Sequence, residues 1–287
     1  MEKICIFEVG PRDGLQNERI FVPTQQKIEL VNMLSEIGFE RIEVTSFVSP
    51  KWVPQMADAD LVMKQIKRAK NTSYAALTPN LIGYEKALES AADEVAIFCA
   101  ASETFSQKNI NCSIAESLER FKLVVAAAQR DNIPVRGYVS CVAGCPYEGD
   151  ISPHSVAKIV QDLLDLGCYE VSLGDTIGVG TPQTIATLLS TVVKQVDVGH
   201  LAGHYHDTNG LALDNVKVSL EYGLRTFDAA IGGLGGCPYA PGAAGNLSTL
   251  KLANMLETTG WSTGLDMEKL QCVEQEISDQ FVIKESR

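Results

Sequence analysis

Residues 162–173 read DLLDLGCYEVSL. Asp162–Leu166 has apolar residues at helical spacing, Gly167 interrupts the pattern, and Glu170–Leu173 reads as a buried strand. Glycine at such a joint takes the left-handed conformation that ends a helix. The joint recurs twice. Met33–Ile37 passes through Gly38 into Ile42–Val44, and Ser219–Tyr222 passes through Gly223 into Thr226–Asp228. Strands that alternate with helices imply βαβ units and a parallel sheet.

The alternation extends along the chain. Strands are expected at 3–9, 41–46, 73–78, 94–99, 134–140, 169–174, 200–206 and 225–231. Helical patterns lie near 24–37, 55–69, 80–91, 113–131, 153–166, 181–196, 210–222 and 245–258. Eight such units in about 250 residues match the count and size of a closed (β/α)8 TIM barrel of the α/β class. Residues 265–285 add one or two C-terminal helices. No linker or low-complexity segment interrupts the pattern, so residues 1–287 are expected to form a single domain.

Composition narrows the function. Of 287 residues, 45% are hydrophobic and 21% charged, which suits a protein with a large core. No run of eighteen apolar residues offers a membrane span. The net charge of −12 argues against a nucleic-acid partner, which needs a basic surface. Eight scattered cysteines form no CxxC pair and read as reduced thiols. The N-terminus enters a strand pattern at once, without a signal or transit segment, so a cytoplasmic location is expected.

In TIM barrels, chemistry sits at the C-terminal ends of the strands. The unusual residues fall there. His204 and His206 lie two apart on the seventh strand and therefore point the same way. With an oxygen ligand they would hold a divalent metal. Asp13, after strand one, and Asn246, after strand eight, are within reach because those strands pair when the barrel closes. Mixed N and O ligands suit Mn²⁺ or Mg²⁺, and also Fe²⁺ or Zn²⁺. Arg12, held between Pro11 and Gly14 beside Asp13, is placed to stabilise an enolate or grip a carboxylate. Glu43, a carboxylate in mid-strand, needs a buried partner, and Arg12 is the candidate. Asp175 at the end of strand six is a base, a supporting group or a helix N-cap. The segment 232–246, GGLGGCPYAPGAAGN, brings one thiol, Cys237, to a glycine-rich loop able to fold over a substrate.

Together these stretches resemble the 3-hydroxy-3-methylglutaryl-CoA lyases, members of a metal-dependent lyase and synthase superfamily of TIM barrels. The resemblance rests on EVGPRDGLQNE (8–18), EVTSFVSPKWVPQM (43–56), RGYVSCVAGCPYE (136–148), SLGDTIGVGTP (172–182) and the 232–246 loop. It implies cleavage of a 3-hydroxy-3-alkylglutaryl-CoA to acetyl-CoA and a 3-oxo acid such as acetoacetate. It also implies Mg²⁺ or Mn²⁺ on Asp13, His204, His206 and Asn246. Arg12 then faces the enolate with Glu43 as its partner, and Cys237, Asp175 and His204 share the proton chemistry. An acyl-CoA substrate needs phosphate contacts, for which the polar segment 106–111 offers Lys108 and Asn109. The resemblance implies a homo-oligomer, a dimer or higher. Leu250 stands where some relatives carry an acidic residue, which leaves a longer C3 substituent open. The alternative is a condensing synthase of the same superfamily. Asp207-Thr208 after the second histidine, together with Cys237, favours the lyase.

Overall fold

Gly167 ends its helix as the joint requires, in the left-handed region at φ +119°. Gly38 and Gly223 repeat it at φ +101° and +97°. The structure is a computed structural model that describes residues 2–18, 20–235 and 245–277. Its eight strands are β1 (Cys5–Glu8), β2 (Arg41–Ser46), β3 (Ser73–Leu77), β4 (Glu94–Ala100), β5 (Val135–Ser140), β6 (Glu170–Asp175), β7 (Leu201–Tyr205) and β8 (Thr226–Ala229). All pair in parallel in chain order, and β8 returns to β1 with Phe7 opposite Asp228, closing the barrel. The TIM-barrel expectation is met.

The helices are α1 (Thr24–Ser35), α2 (Ala59–Gln65), α3 (Leu81–Glu89), α4 (Glu103–Ile110), α5 (Ile114–Asp131), α6 (Pro153–Leu166), α7 (Pro182–Val192), α8 (Ala212–Glu221), α9 (Thr249–Thr258) and α10 (Met267–Ile277). Three differ from the sequence reading. First, α2 is half the expected length, because Pro54 opens a separate 3-10 turn and Ile66 is extended. Second, α9 starts at Thr249 rather than 245, because Asn246 and Ser248 bridge to His206 and Ala230. Third, most of the polar segment 106–111, outside every expected helix, lies in α4. Ser102 caps α4 through its hydroxyl, which accepts from the Phe105 N–H, and Asn111 closes the helix in the left-handed region.

The two faces of each strand divide the labour. Outward residues such as Ile97, Val139, Val171 and Leu173 pack under the helices with no exposed surface. Each stabilises the fold by about 1.5–3 kcal/mol. The lumen is charged instead. Arg136 is buried between Glu170, whose Oε1 accepts from Nε at 2.8 Å, and Asp228, whose Oδ1 accepts from Nη2 at 2.8 Å. Its guanidinium lies 4.4 Å from the Phe7 ring centroid. This plug closes the lumen below the site. No helix among the described residues is long and apolar enough to cross a membrane.

Candidate active site and metal centre

The turn after β1 sets the geometry. Residues Gly10–Gly14 form one π-helical turn in which the N–H groups of Arg12, Asp13 and Gly14 all donate to the Val9 carbonyl. That tight winding turns Arg12 and Asp13 back over the lumen. Gly14 is required there, since a Cβ would stand 2.8 Å from Leu234 Cβ. Arg12 is buried and donates from Nε to Glu43 Oε2 at 2.6 Å, and it also pairs with Asp13. The expected Arg12–Glu43 pair is therefore present. Burial works against Glu43 ionising and raises its pKa, with Arg12 opposing the shift.

His204 and His206 face the same volume, their ring centroids 5.3 Å apart. Their Nε2 atoms lie 3.8 and 3.9 Å from Asp13 Oδ2. Those separations are too long for hydrogen bonds and short enough for one cation to bridge. The three ligand atoms lie within 4.8 Å of one another. Burial opposes ionisation of Asp13, yet Arg12 and the two histidines hold it well below the usual carboxylate range. Burial and the neighbouring His204 push His206 down to about 4, so its imidazole is neutral and its lone pair free to ligate. Two imidazole nitrogens and one carboxylate oxygen suit a divalent cation. Asn246 stands beside them, but its amide nitrogen donates to Asp13 Oδ2 at 2.9 Å and to the Leu234 carbonyl at 3.1 Å.

The remaining candidates divide. Asp175 is fully buried, and its oxygens accept from the N–H groups of Val179 and Gly180 at 3.2 and 2.8 Å. It shapes its own loop, and the N-cap of α7 is Thr181 instead. Burial raises its pKa against those two donors. Lys108 and Asn109 are exposed on α4, with Lys108 Nζ 4.2 Å from the Tyr147 ring centroid. Both residues follow β4, on the same end of the barrel as the histidines. Cys237 lies outside the described residues. The flanks of its segment are at the site, since Leu234 meets Gly14 and Asn246, and the Gly245 carbonyl accepts from Asp207 N–H at 3.0 Å.

Sequence reasoning passed over Asp228, whose Oδ2 lies 3.1 Å from His204 Nδ1. Burial opposes protonation of His204, but the Asp228 hydrogen bond and charge raise its pKa. The signal was available. Asp228, like Glu43, is a carboxylate on the lumen face of a strand.

A TIM barrel with two imidazoles and a carboxylate converging at its mouth, beside a buried Arg–Glu pair, defines a class: a barrel enzyme built around a divalent-metal site. The chain belongs to the HMGL-like family, whose model matches residues 3–277. It is 57% identical over 267 residues to the cytoplasmic 3-hydroxy-3-methylglutaryl-CoA lyase of Danio rerio, covering 93% of this chain and 80% of that protein. The crystal structure of the HMG-CoA lyase from Brucella melitensis superposes with a TM-score of 0.97 at 54% identity, covering 98% of this chain and all of that one. An HMG-CoA lyase from Acinetobacter baumannii, solved with coenzyme A and 3-methylmalate, gives 0.92 at 41% identity over 96% of this chain and 90% of that one.

Proposed function

We propose that this chain cleaves 3-hydroxy-3-methylglutaryl-CoA, or a close 3-alkyl analogue, to acetyl-CoA and a 3-oxo acid, acetoacetate for the methyl substrate. The observation that carries the reading is the convergence of Arg12, Asp13, His204 and His206 at the barrel mouth. It stands in a chain more than half identical to proteins that bear that lyase name.

Asp13, His204 and His206 would hold the divalent cation, Mg²⁺ or Mn²⁺ in this reading, with Asn246 adjoining. A cation there supplies Lewis-acid polarisation of the substrate's tertiary hydroxyl and carboxylate oxygens. The chain's own groups do the rest. A base removes the hydroxyl proton, with Asp175, whose pKa burial raises, the candidate; His204, its Nδ1 held by Asp228 and its Nε2 turned to Asp13, serves the cation instead. The bond between C2 and C3 breaks, a ketone forms at C3, and the electron pair passes into the thioester enolate. Arg12, fixed by Glu43, faces that negative charge. Cys237 returns a proton to carbon. Lys108 and Asn109 are the proposed contacts to the coenzyme A phosphates, since both follow a strand end on the mouth side.

We further read the chain as one catalytic unit that assembles as a homo-oligomer. Exposed Phe21, Trp52 and Ile82 offer apolar surface for another copy to cover. A reducing, cytoplasmic compartment fits seven described cysteines that are all unpaired. The test is turnover of 3-hydroxy-3-methylglutaryl-CoA by chelator-stripped protein. Adding Mg²⁺ or Mn²⁺ should release acetyl-CoA and acetoacetate in equal amounts. No release of either product with metal bound would refute the substrate.

A further inference from the structure

Among the buried polar atoms with no hydrogen-bond partner among the described residues are three on residues that border Arg12 and the histidines: Glu43 Oε1, His206 Nδ1 and the Tyr138 hydroxyl. The first two belong to side chains already engaged through their other atom, with Arg12 and toward Asp13. Tyr138 has no second polar atom. It sits on β5, only 8% exposed. Its ring is held from several directions. The guanidinium carbons of Arg136 and Arg12 lie 5.0 and 5.4 Å from its centroid, and the His204 ring meets it edge-on at 6.3 Å. Leu77 and Ala96 complete the wall.

An unpaired buried hydroxyl is destabilising, because its lost hydration is not replaced. Phenylalanine would fill the same space and make the same ring contacts without that cost. The hydroxyl therefore lacks a structural reason within the described chain, and the ring that carries it is bordered by Arg12 and His204.

We propose that the Tyr138 hydroxyl is a catalytic hydrogen-bond donor. It serves, with Arg12, the substrate oxygen that becomes the enolate oxygen when the carbon–carbon bond breaks. This inference rests on the lyase reading above. No proton leaves the phenol. The hydroxyl proton of the substrate goes to the base, the bond's electron pair goes to the enolate, and Tyr138 and Arg12 share the resulting charge. A second fixed donor acts mainly on the transition state, where the oxygen carries most charge.

The experiment compares wild-type protein with Tyr138→Phe, both metal-loaded, in steady-state cleavage of 3-hydroxy-3-methylglutaryl-CoA and in thermal unfolding. The expected result is a kcat lower by about 10²–10³-fold, the range for loss of one oxyanion donor. KM should stay within about threefold, and Tm should be unchanged or higher, because the lost hydroxyl had no partner. Active wild-type protein with an equally active Tyr138→Phe variant overturns this inference and leaves the lyase reading intact. A variant whose activity falls only in step with a falling Tm also overturns it, since that is a packing effect. Wild-type protein that releases neither product overturns the lyase reading and this inference with it.

Discussion

Asp228 Oδ2 is shared by three donors: Ser172 Oγ at 2.7 Å, Arg136 Nη1 at 3.2 Å and His204 Nδ1 at 3.1 Å. With Arg136 and Ser172 both donating, the carboxylate stays ionised. Burial opposes that, but Arg136 and His204 draw its pKa down to about 2. An ionised acceptor at Nδ1 keeps the proton on that nitrogen and leaves Nε2 of His204 turned to Asp13. Such outer carboxylates typically strengthen metal binding 10–100-fold. Asp228→Asn is therefore expected to weaken Mn²⁺ binding by about that factor, measured by equilibrium titration of the metal alone. Unchanged affinity would remove Asp228 from the metal site. At this scale the sequence named Arg12, Asp13, Glu43 and the two histidines, because each is a polar residue at a strand end or on a lumen face. It passed over Asp228 and Tyr138, whose roles depend on which neighbours supply or lack a partner.

Among the elements, the junction of β1, β8 and α9 depends on one carboxyl group. Glu8 faces away from the lumen and is fully buried. Its Oε1 accepts from the N–H groups of Gly10 and Ile231 at 2.8 and 2.9 Å, and its Oε2 accepts from Thr249 Oγ1 at 2.6 Å. It thus ties the π-turn that carries Arg12 and Asp13 to the start of the glycine loop and the first turn of α9. Burial outweighs these donors and raises its pKa to about 7. A carboxyl with a raised folded-state value favours folding while protonated. That contribution is present at low pH and is lost as pH rises from about 4.5 through 7. The shift corresponds to an effect on the order of 3 kcal/mol. Glu8→Gln mimics the protonated form and removes this titration. Measured by urea unfolding, the variant's stability relative to wild type should rise between pH 5 and 8. A constant difference across that range would contradict the assignment. Helix α4 shows the limit of element reading. Its sequence, ETFSQKNI, is too polar to announce a buried face, and the Ser102 cap together with packing of Phe105 decides its conformation.

For the whole molecule, closure of the barrel makes the two ends of the chain interdependent. α10 buries Leu270 and Ile277 fully, and Glu274 accepts from the Gly232 N–H at 2.7 Å and from Ser248 Oγ at 2.9 Å. The last described helix thus holds both sides of the glycine loop, beyond the eighth unit that the barrel itself needs. Leu270→Ala should lower stability by about 2–5 kcal/mol in denaturant unfolding. Because α10 touches the loop's flanks rather than the metal ligands, Mn²⁺ affinity of the folded variant should stay within about twofold. A large loss of affinity would show that α10 supports the metal site directly.

The sequence by itself determined the eight-fold alternation, the helix–glycine–strand joints and which strand ends gather the polar candidate residues. Those follow from local rules: periodicity, the left-handed freedom of Gly167, and the two-residue repeat that places His204 and His206 on one face. Only the tertiary structure decided the rest. It showed that the winding of Gly10–Gly14 onto a single carbonyl aims Asp13 at both imidazoles. It showed that Asn246 meets Asp13 through its amide nitrogen, that Asp175 spends its oxygens on its own loop, and that Tyr138 is left unpaired. The physical reason is that hydrogen-bond satisfaction in a closed barrel belongs to groups brought together from distant strands, and no local pattern records which atoms they leave over.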